Sequence, residues 1–251
     1  MAEPNVVTAA MLVIGNEILS GRTQDRNINY IAAGLTARGV RLMEVRVVGD
    51  YPQDIVDAVN ALRKRYDYVF TTGGIGPTHD DITADCIAQA FGVGISEHPE
   101  AVALLDARYK PGEFTAARRR MTRIPHGGVL VKNPVSTAPG FRVENVYTFA
   151  GIPSVMQAMF QEIVHELNGG DPVLSRTVNS FLPEGVIAAP LEQVEKAHPG
   201  LEAGSYPFYR DGRFGSSLVL RSTDPAQLDQ AIEMLKARIV ELGGTPVEDA
   251  A

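Results

Sequence analysis

The sequence predicts an α/β fold: a three-layer α/β/α domain with a mostly parallel sheet, followed by a small α+β (βαββα) appendage. Three observations carry that reading. Non-alternating, β-branched strand segments alternate with helical periodicity over the first two-thirds of the 251 residues, the pattern of a sheet covered on both faces. A strand, a glycine turn and a helix follow one another between Tyr68 and Asp85. After Gly169-Gly170-Asp171-Pro172 the order changes to strand, helix, hairpin and helix, so the expected domains are 1–170 and 171–251.

Ala9 to Ile14 reads as the first strand, followed by the loop Gly15–Gly21. Ile28, Ile31 and Leu35 mark a helix that Gly39 stops. Leu42 to Val48 is the second strand, ending in Gly49-Asp50, and Ile55, Val59 and Leu62 mark the next helix. Tyr68 to Thr72 is the third strand; from about Asp80 the spacing of Ile82, Cys86 and Ala90 is helical again. Polar helices are expected across 99–110 and 113–123, strands at 129–132 and 146–150, and a helix from Pro153 to about Leu167.

In the appendage, a strand at 175–182 precedes a helix at 186–197 and a hairpin with arms 202–209 and 214–222. Asp211-Gly212, a dipeptide suited to φ > 0, joins those arms. The last helix opens with Asp224 as N-cap, Pro225 at its first position and Gln227 at N3. Leu228, Ile232, Leu235, Ile239 and Leu242 share one face, most simply the packing face against the hairpin.

Bulk properties narrow the function. A net charge of −7 argues against a nucleic-acid surface, which needs basic stripes. No apolar run is long enough to span a bilayer, and Met1-Ala-Glu-Pro-Asn lacks the features of a signal peptide. One cysteine excludes a disulfide framework, and five scattered histidines give no zinc spacing. The expectation is a cytoplasmic protein with no membrane or nucleic-acid partner.

In an open parallel sheet, ligands bind beyond the carboxyl ends of the strands. That rule gathers Gly15–Gly21, Gly49-Asp50, Gly73–Asp81 and the loop from Gly151 at one edge. Gly73, Gly74 and Gly76 make a turn before a helix, a site suited to phosphate. Yet Asp80-Asp81 stands where a phosphate loop would carry Gly-Lys. At about 4 Å and an effective dielectric near 20, each carboxylate repels a phosphate charge by about 4 kcal/mol. A divalent cation held by Asp50 and Asp81, with Glu17 beside them, resolves the conflict and implies metal-assisted chemistry at a phosphate or pyrophosphate.

Each candidate has a structural alternative. Asp50 equally suits a helix N-cap with Gln53, and Asp81 the acid half of a capping box begun by Thr78. Glu17 and His79 also read as solvated loop, Cys86 as core, and Arg118–Arg120 as a solvated helical face from which one arginine can reach a phosphate. Ser136 and Thr137 either donate to a ligand or shape a Pro/Gly loop. The chain lacks a Gly-x-Ser-x-Gly elbow.

At these residues the chain resembles the MoaB/Mog molybdopterin-binding family, most closely the N-terminal region of its CinA-type (competence/damage-inducible protein A) members. Gly15–Gly21, Asp25–Asn27, Thr71–Thr83, Asn133 with Ser136–Gly140, and Gly151–Pro153 carry the likeness, as does Gly204–Pro207 in the tail. The resemblance implies a MoaB/Mog-type fold and a homo-oligomer. It gives Asp50 and Asp81 the metal-assisted role and adds Thr72, Asn27 and Gly151 to the ligand contacts.

It implies a nucleotide pyrophosphatase of the ADP-ribose or FAD class, using Mg²⁺, Mn²⁺ or Co²⁺. Two alternatives stand beside it: a molybdenum-cofactor biosynthesis protein holding a pterin phosphate, and a non-catalytic nucleotide-binding module. Two residues depart from the family pattern. Asn16 stands where many relatives carry aspartate, and Ile75 where Mog-type turns carry threonine.

Overall fold

The computed structural model describes residues 5–210 and 212–249. Two units divide between Gly170 and Asp171. In the first, chain order is β1 (Val7–Ile14), α1 (Asn16–Leu19), α2 (Asn27–Ala37), β2 (Val40–Val48), α3 (Pro52–Arg63), β3 (Tyr68–Thr72) and α4 (Thr83–Phe91). Then come β4 (Ile95–Glu97), α5 (Pro99–Arg108), α6 (Ala116–Arg119), β5 (Arg123–Pro125), β6 (Val129–Val131), β7 (Gly140–Val143), β8 (Val146–Phe149) and α7 (Pro153–Ile163).

The main sheet runs β2-β1-β3-β8-β7-β6. Its first four strands are parallel, and β7 and β6 add an antiparallel edge. Alternation along β1 decides the layers. Ala10, Leu12 and Ile14 pack with Ile55, Val59 and Leu62 of α3 and with Cys86 and Ile87 of α4. Ala9, Met11 and Val13 pack on the other face with Ile31 and Leu35 of α2 and with Met156 and Phe160 of α7. The mostly parallel α/β/α expectation therefore holds. Each buried Leu, Ile or Phe in these layers contributes about 1.5–3 kcal/mol relative to exposure.

Three local expectations need correction. The loop after β1 contains the short helix α1. The helix expected over 113–123 shrinks to α6, a 3₁₀ turn over Arg120–Thr122, and then β5. Tertiary contacts override the helical reading: β5 pairs with β4, Ile124 is buried, and Arg119 is bidentate to Glu97 at 2.9 and 2.5 Å. The strand β7, unforeseen, fills the span between β6 and β8 as one arm of a hairpin.

The second unit comprises β9 (Leu174–Ser180), α8 (Glu184–Ala197), β10 (Glu202–Arg210), β11 (Arg213–Ser222), α9 (Pro225–Glu241) and β12 (Val247–Glu248). Its sheet runs β10-β11-β9-β12, and β12 is an addition to the expected βαββα order. Leu228, Ile232, Leu235 and Ile239 of α9 are buried against Val178, Leu218 and Leu220, as expected, whereas Leu242 is exposed.

Asp224 caps α9, its Oδ1 accepting the N–H groups of Ala226 and Gln227 at 2.9 and 3.2 Å. The Gln227 amide, instead of closing a capping box, donates to Pro199 O and accepts from the Ser222 hydroxyl. Gly212 has φ +74 in the hairpin turn; its neighbour Asp211 lies outside the described residues, as do residues 1–4, read above for a targeting signal. Among the described residues, no helix is long and apolar enough to cross a membrane.

Candidate functional site

The glycine turn after β3 exists because no other residue fits its backbone. Gly73 has φ +102, and a Cβ there would stand 2.2 Å from Ile14 O of β1. Its N–H donates to Phe149 O at the end of β8, and Gly74 O receives the N–H of Thr83 at the start of α4. The turn is thus tied to three elements. Asp80 and Asp81 precede α4, whose first helical residue is Thr83. The expected helical start near Asp80 is corrected by three residues, and both acids belong to the turn.

Asp81 Oδ2 accepts the Thr78 N–H at 2.7 Å and the Thr78 hydroxyl at 2.5 Å. Of the capping box foreseen for Thr78 and Asp81 only the acid half forms, within the turn: the Thr78 hydroxyl donates to the carboxylate, and the Asp81 N–H goes to Thr78 O at 3.3 Å. A Cβ at Gly76 would stand 2.6 Å from the same carboxylate oxygen, so glycine there makes room for it. Asp80 is held below the usual carboxylate range by hydrogen bonding to Thr78 first and to its own backbone second, and stays ionised. The His79 side chain is almost wholly exposed.

Asp50 is not a helix cap. The N-terminus of α3 has Tyr51 at the cap position and Pro52 next to it, with no side-chain hydrogen bond. Asp50 Oδ2 instead accepts the backbone N–H of Asn16 at 2.9 Å, tying the loop after β2 to the one after β1. Because a backbone N–H makes this bond, the side chain at position 16 does not determine it.

A cleft of about 440 Å³ collects these loops. Glu17, Asp50, Asp80 and Asp81 line it together with Gly73, Gly74, Gly76, Gly151, Asn133 and Ser136. An apolar part of the lining was not foreseen: Met121, Ala138, Ile152, Val155 and Met159. No motif signals it, although α7 supplies two of those residues at helical spacing.

Two predicted contacts lie next door. Asn27 and Thr72 line a smaller recess of about 50 Å³ that shares Ile14, Glu17 and Gly151 with the cleft. Asn27 Nδ2 donates to Gly151 O at 2.9 Å, while Asn27 Oδ1 and Thr72 Oγ1 are buried without a partner. Thr137 is not brought in. It lines a separate cavity with Val129 and Lys132, at φ +71, while the neighbouring Ser136 hydroxyl receives the Asn133 amide.

The three arginines of 118–120 divide their work. Arg118 stacks over Tyr109 and donates to Glu113 O, Arg119 pairs with Glu97, and Arg120 donates to Asp81 O at 3.3 Å. The solvated-face reading is thereby corrected. Cys86 is core, as expected; burial pushes its thiol up to about 11, too high for a nucleophile at neutral pH.

The side chains of the cleft do not by themselves complete a cation site. Among the described residues, no group of three or more His, Cys, Asp or Glu side chains could hold a metal ion by themselves. Mg²⁺ is commonly held by one or two carboxylates with substrate phosphates and water completing the shell. Asp50 and Asp81 both line the cleft, so a cation held there would draw the rest of its shell from substrate and water.

Residues 10–169 match the family model described as "Probable molybdopterin binding domain", and residues 172–243 match "FAD synthase, middle domain". A protein of Archaeoglobus fulgidus is 36% identical over 200 residues, spanning 78% of this chain and 84% of its own. A CinA-like protein of Thermosynechococcus vestitus is 28% identical over 251 residues, covering 95% of this chain and 59% of that protein. The crystal structure of CinA, a protein with unknown function from Thermoplasma acidophilum, superposes with a TM-score of 0.61 at 32% identity, covering 64% of this chain and 98% of that one.

Proposed function

Because the chain belongs to the molybdopterin-binding domain family, with CinA-type relatives, we propose that its cleft binds a nucleotide and hydrolyses its pyrophosphate bond. The observation that carries this reading is the mixed lining of the cleft. Four carboxylates and a glycine turn line it together with Met121, Val155 and Met159. A ligand matching such a lining joins a pyrophosphate to a flat heterocycle, as ADP-ribose and FAD do. The match of residues 172–243 to a FAD synthase domain supports a nucleotide-related role.

In this reading the backbone of Gly73–Gly76 receives the phosphate, and Asp50 and Asp81 hold a divalent cation, Mg²⁺, Mn²⁺ or Co²⁺. The cation, when bound, supplies neutralisation of phosphoryl charge and a water of lowered pKa. Glu17, in the lining of the same cleft, would orient the attacking water and accept its proton. Water adds across the P–O–P bridge, and two phosphate monoesters leave. The apolar residues of the lining offer contact to the heterocycle.

The test is a panel of ADP-ribose, FAD and NAD with Mg²⁺, Mn²⁺ and Co²⁺, read by product release. Metal-dependent turnover abolished in Asp81→Asn is the expected result; turnover unchanged in that variant refutes these roles. A second reading, retention of a pterin phosphate, draws support from the family description itself. Molybdopterin copurifying with a chain that cleaves no pyrophosphate would favour it.

A further inference from the structure

We infer that the recess beside the cleft receives a hydroxyl group of the ligand, so that the molecule it fits is a phosphorylated sugar and not a phosphate alone. This rests on the reading that the cleft takes a nucleotide phosphate, and it adds which part of that ligand Asn27 and Thr72 contact. Asn27 is 4% and Thr72 1% exposed, and both line the recess. Asn27 Oδ1 and Thr72 Oγ1 have no hydrogen-bond partner among the described residues. A buried polar atom left unpaired costs stability, and such atoms are few in folded proteins.

The orientation of the Asn27 amide is fixed. Its Nδ2 donates to Gly151 O at 2.9 Å, which leaves Oδ1, an acceptor only, as the unpaired end. The Thr72 hydroxyl can both donate and accept. A hydroxyl is the small group that answers the two together: it donates to Asn27 Oδ1 and accepts from Thr72 Oγ1. An ammonium group has no lone pair for the Thr72 proton, and a phosphate dianion has no proton for Asn27.

Charge and size agree. Glu17 and Asp25 line the recess, against Arg26 as its exposed cation. Asp25 Oδ1 accepts the N–H groups of Asn27 and Ile28 at 3.0 and 2.8 Å, so these two donors at the start of α2 are not available to an anion. The recess holds about 50 Å³, room for a hydroxyl-bearing carbon and little more. Thr72 directly precedes Gly73, and a Cβ on Gly151 would stand 3.3 Å from Gly73 Cα. A hydroxyl in the recess therefore lies beside the first glycine of the turn that receives the phosphate, as a sugar hydroxyl lies close to its own phosphate ester. The ribose of ADP-ribose and the ribityl chain of FAD share this chemistry.

Calorimetry on the full chain with Mg²⁺ tests this without any turnover. Ribose 5-phosphate and ribitol 5-phosphate carry their hydroxyls on a ring and on an open chain; methyl phosphate carries none. At least one sugar phosphate should bind about tenfold or more tightly than methyl phosphate. Thr72→Val should erase that preference and leave methyl phosphate binding as it was. The sugar that binds better distinguishes a ribose from a ribityl ligand. Valine keeps the shape of threonine and removes an unpaired hydroxyl, so the Tm of Thr72→Val should not fall, and a lost preference is then no folding defect. Equal binding of sugar and methyl phosphates, no binding of either, or a preference that survives Thr72→Val overturns the inference. Preference without pyrophosphate cleavage would refute the catalytic reading alone; cleavage without preference would refute this one alone.

Discussion

Thr78 directs two donors, its backbone N–H at 2.7 Å and its hydroxyl at 2.5 Å, at the single oxygen Oδ2 of Asp81. One oxygen is thereby fixed by the protein, and the carboxylate has one orientation in the cleft rather than several. A residue that orients a ligating carboxylate acts through it, and losing such a partner commonly costs about 10–100-fold in metal affinity or activity.

Thr78→Ala keeps the N–H and loses the hydroxyl. Its apparent metal constant should rise by about tenfold or more, with maximal turnover at saturating metal changed less. Titration of activity against Mn²⁺ measures both. An unchanged metal constant would mean that the hydroxyl only closes the turn.

Gly76 and Gly74 should respond differently to alanine. At Gly76 the added Cβ collides with Asp81 Oδ2 at 2.6 Å, while the backbone is in ordinary territory. The fold should survive and activity fall. At Gly74 the backbone has φ +66 and the Cβ would meet Thr83 Oγ1 at 2.2 Å. Left-handed backbone alone costs a non-glycine residue about 1–2 kcal/mol, so Gly74→Ala should lower Tm as well. Thermal unfolding and turnover, measured together, separate the two.

Cys86 should resist alkylation in the folded chain. Burial raises its thiol to about 11, while an unfolded thiol titrates near 8.5. Between those values the unfolded chain holds fewer protons than the folded one, so stability falls as pH rises through that window. Iodoacetamide labelling at pH 8 should proceed only under denaturant; fast labelling without denaturant would place the thiol outside the core.

Acid should destabilise both units through paired glutamates. Glu44, Glu97 and Glu248 are held below the usual carboxylate range, first by Arg46, Arg119 and Lys236 respectively. A depressed folded value means stability present above the unfolded value of 4.5 and lost as pH falls through the folded one. Tm should hold down to about pH 5 and decline below it; a Tm flat to pH 3 would show that these pairs contribute little.

The buried parallel strands and their helices were legible because period and length agree: Val69–Thr72 has no polar alternation, and Ile55, Val59 and Leu62 repeat at helical spacing. Residues 113–123 misled because their composition suits a helix in isolation. In the fold, Arg119 and Arg123 find Glu97 and Asp85, distant in sequence, and β5 pairs with β4. Strand β7 escaped notice because four residues between Pro139 and Glu144 are too few to show a period. Asp50 looked like a cap because the spacing to Gln53 is right, and only the approach of Asn16 redirected its carboxylate.

From the sequence alone came the layered α/β architecture and the four acids at the carboxyl ends of the strands, since both follow from local periodicity and a rule of sheet topology. The tertiary structure alone decided which side chains share the cleft. It turned Thr137 away, brought Met121, Val155 and Met159 into the same cleft as the acids, and left Met43, Val45 and Val47 bare on an edge strand. The physical reason is that these outcomes depend on where segments far apart in the chain meet, and no local spacing records that.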